Sequence, residues 1–300
     1  MAVCLWLQPA LAQEPSGESP PPSSASPSEL SEPTEEDAGF PIEPGKINTN
    51  DAGVLEPGQI EIQPGWLGFY SSRAYDQTGV SVRDSDQVQD LFFTQLTCGV
   101  AEDFDMNLIL GLNTGHDSLA GTDPVTGLPL PLSDTSFADT VFGTRWRFLN
   151  DEANQLSLAY LTYFTFPTGQ HGTPTLLSLS QEAANCQHRL VVQKETGHWS
   201  LLADLGVTHP LWGNSIDFDG GVSASLAAGY QVTAEWQPLV ELGYTSFYFG
   251  NTQPEFWTVT GGGTCYVSPD VRLNLGLTQT FAGQNARDGT AVTFFLTILR

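Results

Sequence analysis

The chain has 300 residues, 40% of them hydrophobic, enough for a buried core in any fold class. Its 34 acidic and 10 basic side chains give a formal net charge of -24, which excludes nucleic-acid binding by phosphate neutralisation. No stretch approaches the roughly 18 continuous apolar residues of a membrane helix, so any spanning must be by a closed sheet in which every backbone group finds a partner.

In chain order, residues 1–12 end in Ala10-Leu11-Ala12, the small-x-small form of a signal-peptidase site, with Gln13 as the first mature residue. No basic residue precedes the apolar run, and the first in the chain is Lys46, so the segment reads as a signal peptide whose charged start lies upstream. Residues 13–47 are rich in Pro, Ser and Glu and nearly devoid of large apolar side chains. Such a stretch cannot offset its ordering entropy by burial and is expected to be a disordered periplasmic linker, a spacer rather than a binder of peptidoglycan or a partner.

Residues 48–300 change character. Val271, Leu273, Leu275 and Leu277 share one phase while Arg272, Asn274, Gly276 and Thr278 share the other, and Val292, Phe294, Leu296 and Ile298 repeat the pattern. A period of two marks strands with one apolar and one polar face. Twelve such stretches fall near 58–71, 87–100, 106–115, 137–148, 154–166, 186–195, 198–208, 219–230, 235–248, 256–267, 271–281 and 290–299. The connections alternate, with every odd one (72–86, 116–136, 167–185, 209–218, 249–255, 282–289) longer than its even neighbours. A soluble sandwich meets the same solvent at both ends and has no reason to sort its loops. An outer-membrane barrel has short periplasmic turns, longer extracellular loops and an even strand number. The predicted fold is all-β: a single antiparallel up-and-down transmembrane β-barrel of about 12 strands, in the bacterial cell outer membrane.

The two phases then acquire surroundings. Tyr70, Phe164, Phe166, Tyr244, Tyr248 and Trp257 fall at the expected outer ends of strands on the apolar phase, and Trp146, Phe148, Trp199 and Tyr230 at the inner ends. Their joint placement predicts the two aromatic girdles of a barrel in lipid. The opposite phase carries Glu61, Asp139, Arg145, Arg147, Arg189, Asp204, Glu235, Glu241 and Arg272. Ionised groups are expensive in lipid and can pair or stay hydrated in a lumen, so these residues are expected to line the interior. They form either a structural network that blocks leakage or a polar constriction that selects solutes.

Other constellations carry less. Asp76, Asp84, Asp86, Asp117, Asp123, Asp134, Asp217 and Asp219 are loop acids; they could hold divalent cations near lipopolysaccharide, but scattered aspartates do not make the clustered oxygen geometry such a site needs. Cys4, Cys98, Cys186 and Cys265 show no paired spacing, and Cys98 and Cys265 sit on apolar phases as small hydrophobes. His116, His171, His188, His198 and His209 follow no metal-ligand spacing. Neither a metal nor a cofactor is expected, and His116-Asp117 lacks the nucleophile context of a rim hydrolase. Gly261-Gly262-Gly263 lies mid-strand, where glycine lets the sheet bend or a neighbouring side chain cross the lumen.

Several stretches resemble one family, the outer-membrane transporter barrels named for the meta-cleavage pathway of phenol degradation. Thr49 to Gly65, T-N-D-A-G-V-L-E-P-G-Q-I-E-I-Q-P-G, resembles that family's approach to its first strand; Phe166 to Gly169, F-P-T-G, resembles the end of its fifth. Tyr266 to Asp270, the L-N-L-G-L-T strand and the G-x-N-A-R-D-G segment resemble its final hairpins, so the likeness spans about residues 48–299. It implies a twelve-stranded channel for small organic solutes, hydrophobic or aromatic. The expected partners are outer-membrane lipid and lipopolysaccharide, the outer-membrane assembly machinery and the solute. A different class of role remains open: a structural or surface-interaction barrel with a plugged lumen and acidic extracellular loops. The chain departs from the usual aromatic last residue of such barrels by ending Ile298-Leu299-Arg300.

Overall fold

A computed structural model describes residues 47–122, 128–170, 179–180, 183–213, 218–250 and 252–300. The expected signal peptide with Cys4, the expected linker up to Lys46, and Asp123, His171 and Asp217 lie outside the described residues. Among the described residues thirteen strands are present: β1 (Ile60–Tyr75), β2 (Ser81–Ala101), β3 (Phe104–Thr122), β4 (Pro129–Phe137), β5 (Thr140–Asp151), β6 (Leu156–Phe166), β7 (Ala184–Thr196), β8 (Trp199–Trp212), β9 (Phe218–Tyr230), β10 (Trp236–Phe249), β11 (Glu255–Ser268), β12 (Val271–Gln284) and β13 (Ala286–Leu299). All neighbours are antiparallel, and β1 pairs with both β2 and β13 while β2 pairs with β3, which closes the sheet into a barrel.

Thirteen strands make twelve staves. The periplasmic half of β3 pairs with β5, from Phe104↔Trp146 to Ile109↔Val141, and its extracellular half pairs with β4, from Leu112↔Phe137 to Thr122↔Pro129. Thus β4 and β5 are two halves of one stave, broken at Ala138-Asp139. The barrel is the twelve-stranded, all-β structure expected.

The apolar phase faces outward. Val88, Phe92, Leu96, Leu110, Leu205, Val207, Leu226, Val240, Leu275, Leu277 and Phe294 are exposed on the wall, a hydrocarbon-facing surface rather than a failed core. Tyr70, Trp146, Phe148, Trp199, Tyr230, Tyr248 and Trp257 are exposed among them, and Phe164, Phe166 and Tyr244 are half-buried. Several pack in pairs, Tyr244 on Trp257 at 4.8 Å and Trp199 on Tyr230 at 4.9 Å. The last strand keeps the phase read from its sequence, Phe294 outward and Phe295 inward, without a terminal aromatic residue.

The expected loop lengths need correction. What reads as a long loop at 72–86 is mostly strand, reduced to a turn at Asp76–Val80, and β3 and β4 likewise extend through most of 116–136. Beyond the lipid the outward face of a hairpin also meets water, so Ser81–Arg83 stay paired with β1 without an apolar phase to reveal the strand. The segment 282–289 is not a loop at all: β12 and β13 meet at Asn285, in the left-handed region at φ 48°. This extracellular connection is shorter than the periplasmic turn Pro269-Asp270, so the strict odd-even rule fails there.

The β1–β2 turn is held by one carboxylate. Asp76 Oδ1 accepts the Thr78 hydroxyl at 2.7 Å and the amides of Thr78 and Val80 at 2.8 and 3.0 Å. These bonds favour the ionised form and hold the carboxyl below its ordinary value, the Thr78 hydroxyl first. Because the native value is the lower one, the turn's contribution is present at neutral pH and lost as pH falls through that value. A carboxyl NMR titration is expected to give Asp76 a midpoint below that of free aspartate, and Thr78→Val should raise it; an ordinary midpoint would contradict the turn as described.

Candidate functional site: the lumen and its strap

Residues 47–56 are not part of the wall. They cross the interior on the periplasmic side as an extended strap held by inward-facing side chains. The amides of Ile47, Asn48 and Thr49 donate to the Glu241 carboxylate of β10 at 2.9, 2.8 and 3.3 Å. Asn48 Nδ2 donates to Thr260 of β11 and Thr278 of β12 at 2.8 and 3.0 Å. Asn50 Nδ2 reaches Asp204 of β8 at 2.6 Å, and its Oδ1 accepts the Tyr163 hydroxyl of β6 at 3.0 Å. Asp51 pairs with Arg145 of β5, the Ala52 amide donates to Gln193 of β7 at 3.0 Å, and Glu56 lies against Gly99 of β2. An extended segment in a barrel has no partner strand for its own amides, so wall carboxylates and amides take that role.

Glycine makes the room. A Cβ on Gly262 or Gly276 would come within 2.3 or 2.6 Å of Ile47 Cδ1; of the two roles expected for the Gly261–Gly263 run, Gly262 serves to admit a side chain. Overpacking costs about 1–3 kcal/mol, so Gly276→Val is expected to increase labelling of a cysteine placed at Asn48 by about tenfold or more, as read by an impermeant thiol reagent against the Gly276 parent.

The charged phase does pair. Arg189 Nε and Nη2 grip Asp204 at 2.8 to 3.0 Å, both side chains essentially inaccessible. Arg145 Nη2 binds Asp105 at 2.7 Å as well as Asp51, and Arg272 binds Glu61 at 3.0 Å near the periplasmic end. Arg147 pairs with Asp103 at 2.6 Å beside the β2–β3 turn. One expected lumen residue sits elsewhere. Glu235 precedes β10, exposed in the periplasmic turn and bonded to Thr233 at 3.1 Å, because the strand begins one residue later than read. Asp139 sits at the break between β4 and β5, where it accepts the Gly169 amide at 2.9 Å and the Ser180 hydroxyl at 2.8 Å and fastens the segment after β6.

Other lumen residues escaped sequence reading. Arg287 of β13 reaches Asp84 at 2.8 Å, Asp117 at 3.4 Å and the Ser85 carbonyl at 3.2 Å, a buried cluster at the extracellular end. Reading 282–289 as loop hid it. Between this cluster and the strap lies an apolar layer, where Leu67, Phe69, Leu91, Phe93, Ile109, Val141 and Phe295 turn inward and pack. On the outward side, His116 Nδ1 lies 2.7 Å from Ser133 Oγ across the β3–β4 ladder, with no carboxylate in contact with the imidazole among the described residues.

A closed antiparallel barrel with an apolar exterior and a charged, strapped interior is an outer-membrane β-barrel, and the bacterial outer membrane is where this chain resides. The chain belongs to the family described as MetA-pathway of phenol degradation, which matches residues 78–295. Among solved structures, an outer-membrane channel from Pseudomonas putida F1 is similar over 85% of this chain and 100% of its own, with TM-score 0.69 and 16% identity. The translocator domain of the autotransporter NalP from Neisseria meningitidis matches 81% of this chain and 89% of its own, with TM-score 0.49 and 10% identity. No curated protein matches the sequence.

Proposed function

We propose that the barrel is a passive outer-membrane channel for small organic solutes of hydrophobic or aromatic character. The observation that carries the reading is the inward apolar layer of Leu67, Phe69, Leu91, Phe93, Ile109, Val141 and Phe295. Phenylalanine and leucine on the phase that elsewhere carries arginine and aspartate offer a hydrated ion no partner in place of its water. An apolar solute gains about 25 cal/mol for each Å² it buries against such a layer. The paired charges Glu61, Arg145, Arg147, Arg189, Asp204, Glu241 and Arg272 would narrow the path on the periplasmic side rather than bind the solute. The family membership and the likeness to a Pseudomonas channel are consistent with this role. The outward aromatic residues would seat the wall at the two lipid interfaces.

Uptake by intact cells tests it. Deletion of the gene is expected to slow entry of a small aromatic hydrocarbon but not of a sugar, and the wild-type chain should restore the rate while Ile109→Asn should not. Ile109→Asn must still insert as a folded barrel for that comparison to count. Unchanged uptake of both solutes on deletion would favour the second reading, a structural barrel plugged by its own strap, which the strap's contacts with eight strands support.

A further inference from the structure

The outer wall of β6–β8, toward the extracellular ends, carries side chains that neither the lumen nor a hydrocarbon surface accounts for. Cys186 and His188 are successive outward positions of β7, in the phase of exposed Leu190, and His209 of β8 is the register partner of Cys186, in the phase of exposed Leu205 and Val207. Cys186 Sγ lies 3.4 Å from His188 Nε2, and the two imidazoles stack 5.2 Å apart. One ligand atom from each of the three residues lies within 4.8 Å of the other two. The Tyr160 hydroxyl of β6, also outward, is 2.6 Å from His188 Nδ1.

We propose that Cys186, His188 and His209 bind a divalent transition-metal ion of the zinc type on the outside of the barrel wall, with Tyr160 as the positioning residue for His188. One thiolate and two imidazoles select zinc, cobalt, nickel or copper over magnesium or calcium. In a tetrahedral site with Zn–S of about 2.3 Å and Zn–N of about 2.0–2.1 Å, adjacent ligand atoms stand roughly 3.3–3.6 Å apart. The Cys186–His188 separation, 3.4 Å, already has that value, and His209 offers its ligand atom within 4.8 Å of both. Three protein ligands leave a fourth position for water or a group from the medium.

The hydrogen bonding presets the ligand form. When His188 Nδ1–H donates to the Tyr160 oxygen, the Nε2 lone pair points at Cys186, where the thiol proton now sits. Metal binding replaces that proton: the S–H bond breaks, the sulfur–metal bond forms, and one proton passes to solvent. Cys186 is only 3% exposed, which shields the thiolate once formed. Three polar side chains together on a lipid-level wall are otherwise costly; a shared ion satisfies all of them and clips β7 to β8.

The folded full barrel in detergent, stripped with a chelator, is titrated with Co(II). One equivalent is expected to produce a thiolate-to-cobalt charge-transfer band, which Zn(II) then abolishes by displacement, and Zn(II) added to the stripped protein should release one proton per ion bound. The band should vanish in Cys186→Ser and fall sharply in His188→Ala and His209→Ala. Tyr160→Phe should keep the band and weaken binding about 10–100-fold. Each variant is first checked for the folded, heat-modifiable barrel on a gel, which surface positions should retain. Absence of the band at millimolar cobalt overturns the site, as does a band that persists in Cys186→Ser, since that would assign the metal to Cys98 or Cys265.

Discussion

Arg189→Ala is expected to lower barrel stability by about 3–5 kcal/mol, because it strips the partner from a carboxylate that has no access to bulk water. Arg189 and Asp204 have side-chain exposures of 2% and 0%, and three guanidinium–carboxylate contacts join them. Asp204 would retain Asn50 of the strap, at 2.6 Å, as its principal donor. The exposed pair Arg83–Asp86, at 75% and 47%, is the control, and Arg83→Ala should change stability by at most about 1 kcal/mol. Urea unfolding in lipid vesicles reads both. Replacing both members of the buried pair, Arg189→Met with Asp204→Leu, should recover most of the loss, since an apolar pair of similar volume owes no desolvation. A loss below 1 kcal/mol for Arg189→Ala would mean that water fills the lumen around Asp204, and would contradict the packed interior described above.

The sequence reveals the wall because alternation is imposed by the solvent on each side of it. Leu275 and Leu277 must face hydrocarbon while Asn274 and Gly276 must not, and that contrast survives in one dimension. The staves lose their signature where the contrast ends: Ser81–Gln87 carries polar residues on both faces, and the break at Ala138-Asp139 shifts the pairing by one residue and inverts the phase, so that odd positions are exposed in β4 and turned inward in β5. Of the interior, Arg145, Arg189, Asp204 and Glu241 were legible as charges on the wrong phase for lipid, but their partners were not. Asp51 sits in what reads as an approach to the first strand, and Asp105 in what reads as a turn. Arg287 was hidden in an apparent loop. The metal-type cluster has the same cause, since Cys186 and His209 are 23 positions apart and meet only through the β7–β8 register. Periodicity reports which face a residue takes; it does not report which residue stands across the ladder.

Glu241→Ala is expected to raise the mean ionic current through the reconstituted barrel. In the native chain three successive strap amides converge on this one carboxylate at 2.8 to 3.3 Å. Hydrogen bonds to a charged group contribute about 1.5–3 kcal/mol each at most, and the released amides regain part of that from water. A net loss of about 1.5–3 kcal/mol corresponds to roughly a tenfold to hundredfold larger population with Ile47–Thr49 detached. Asp204 and Arg145 would still hold Asn50 and Asp51, so the strap should swing from that anchor rather than leave the lumen. Planar-bilayer recordings should therefore show more frequent openings at an unchanged single-channel level, with the Gly276→Val barrel behaving in the same direction. Removing the charge while keeping one acceptor, as in Glu241→Gln, should give an intermediate opening frequency. Currents identical to wild type in both Glu241 variants would mean that the strap does not limit passage, and would move the constriction to the Arg287 cluster at the opposite end of the lumen.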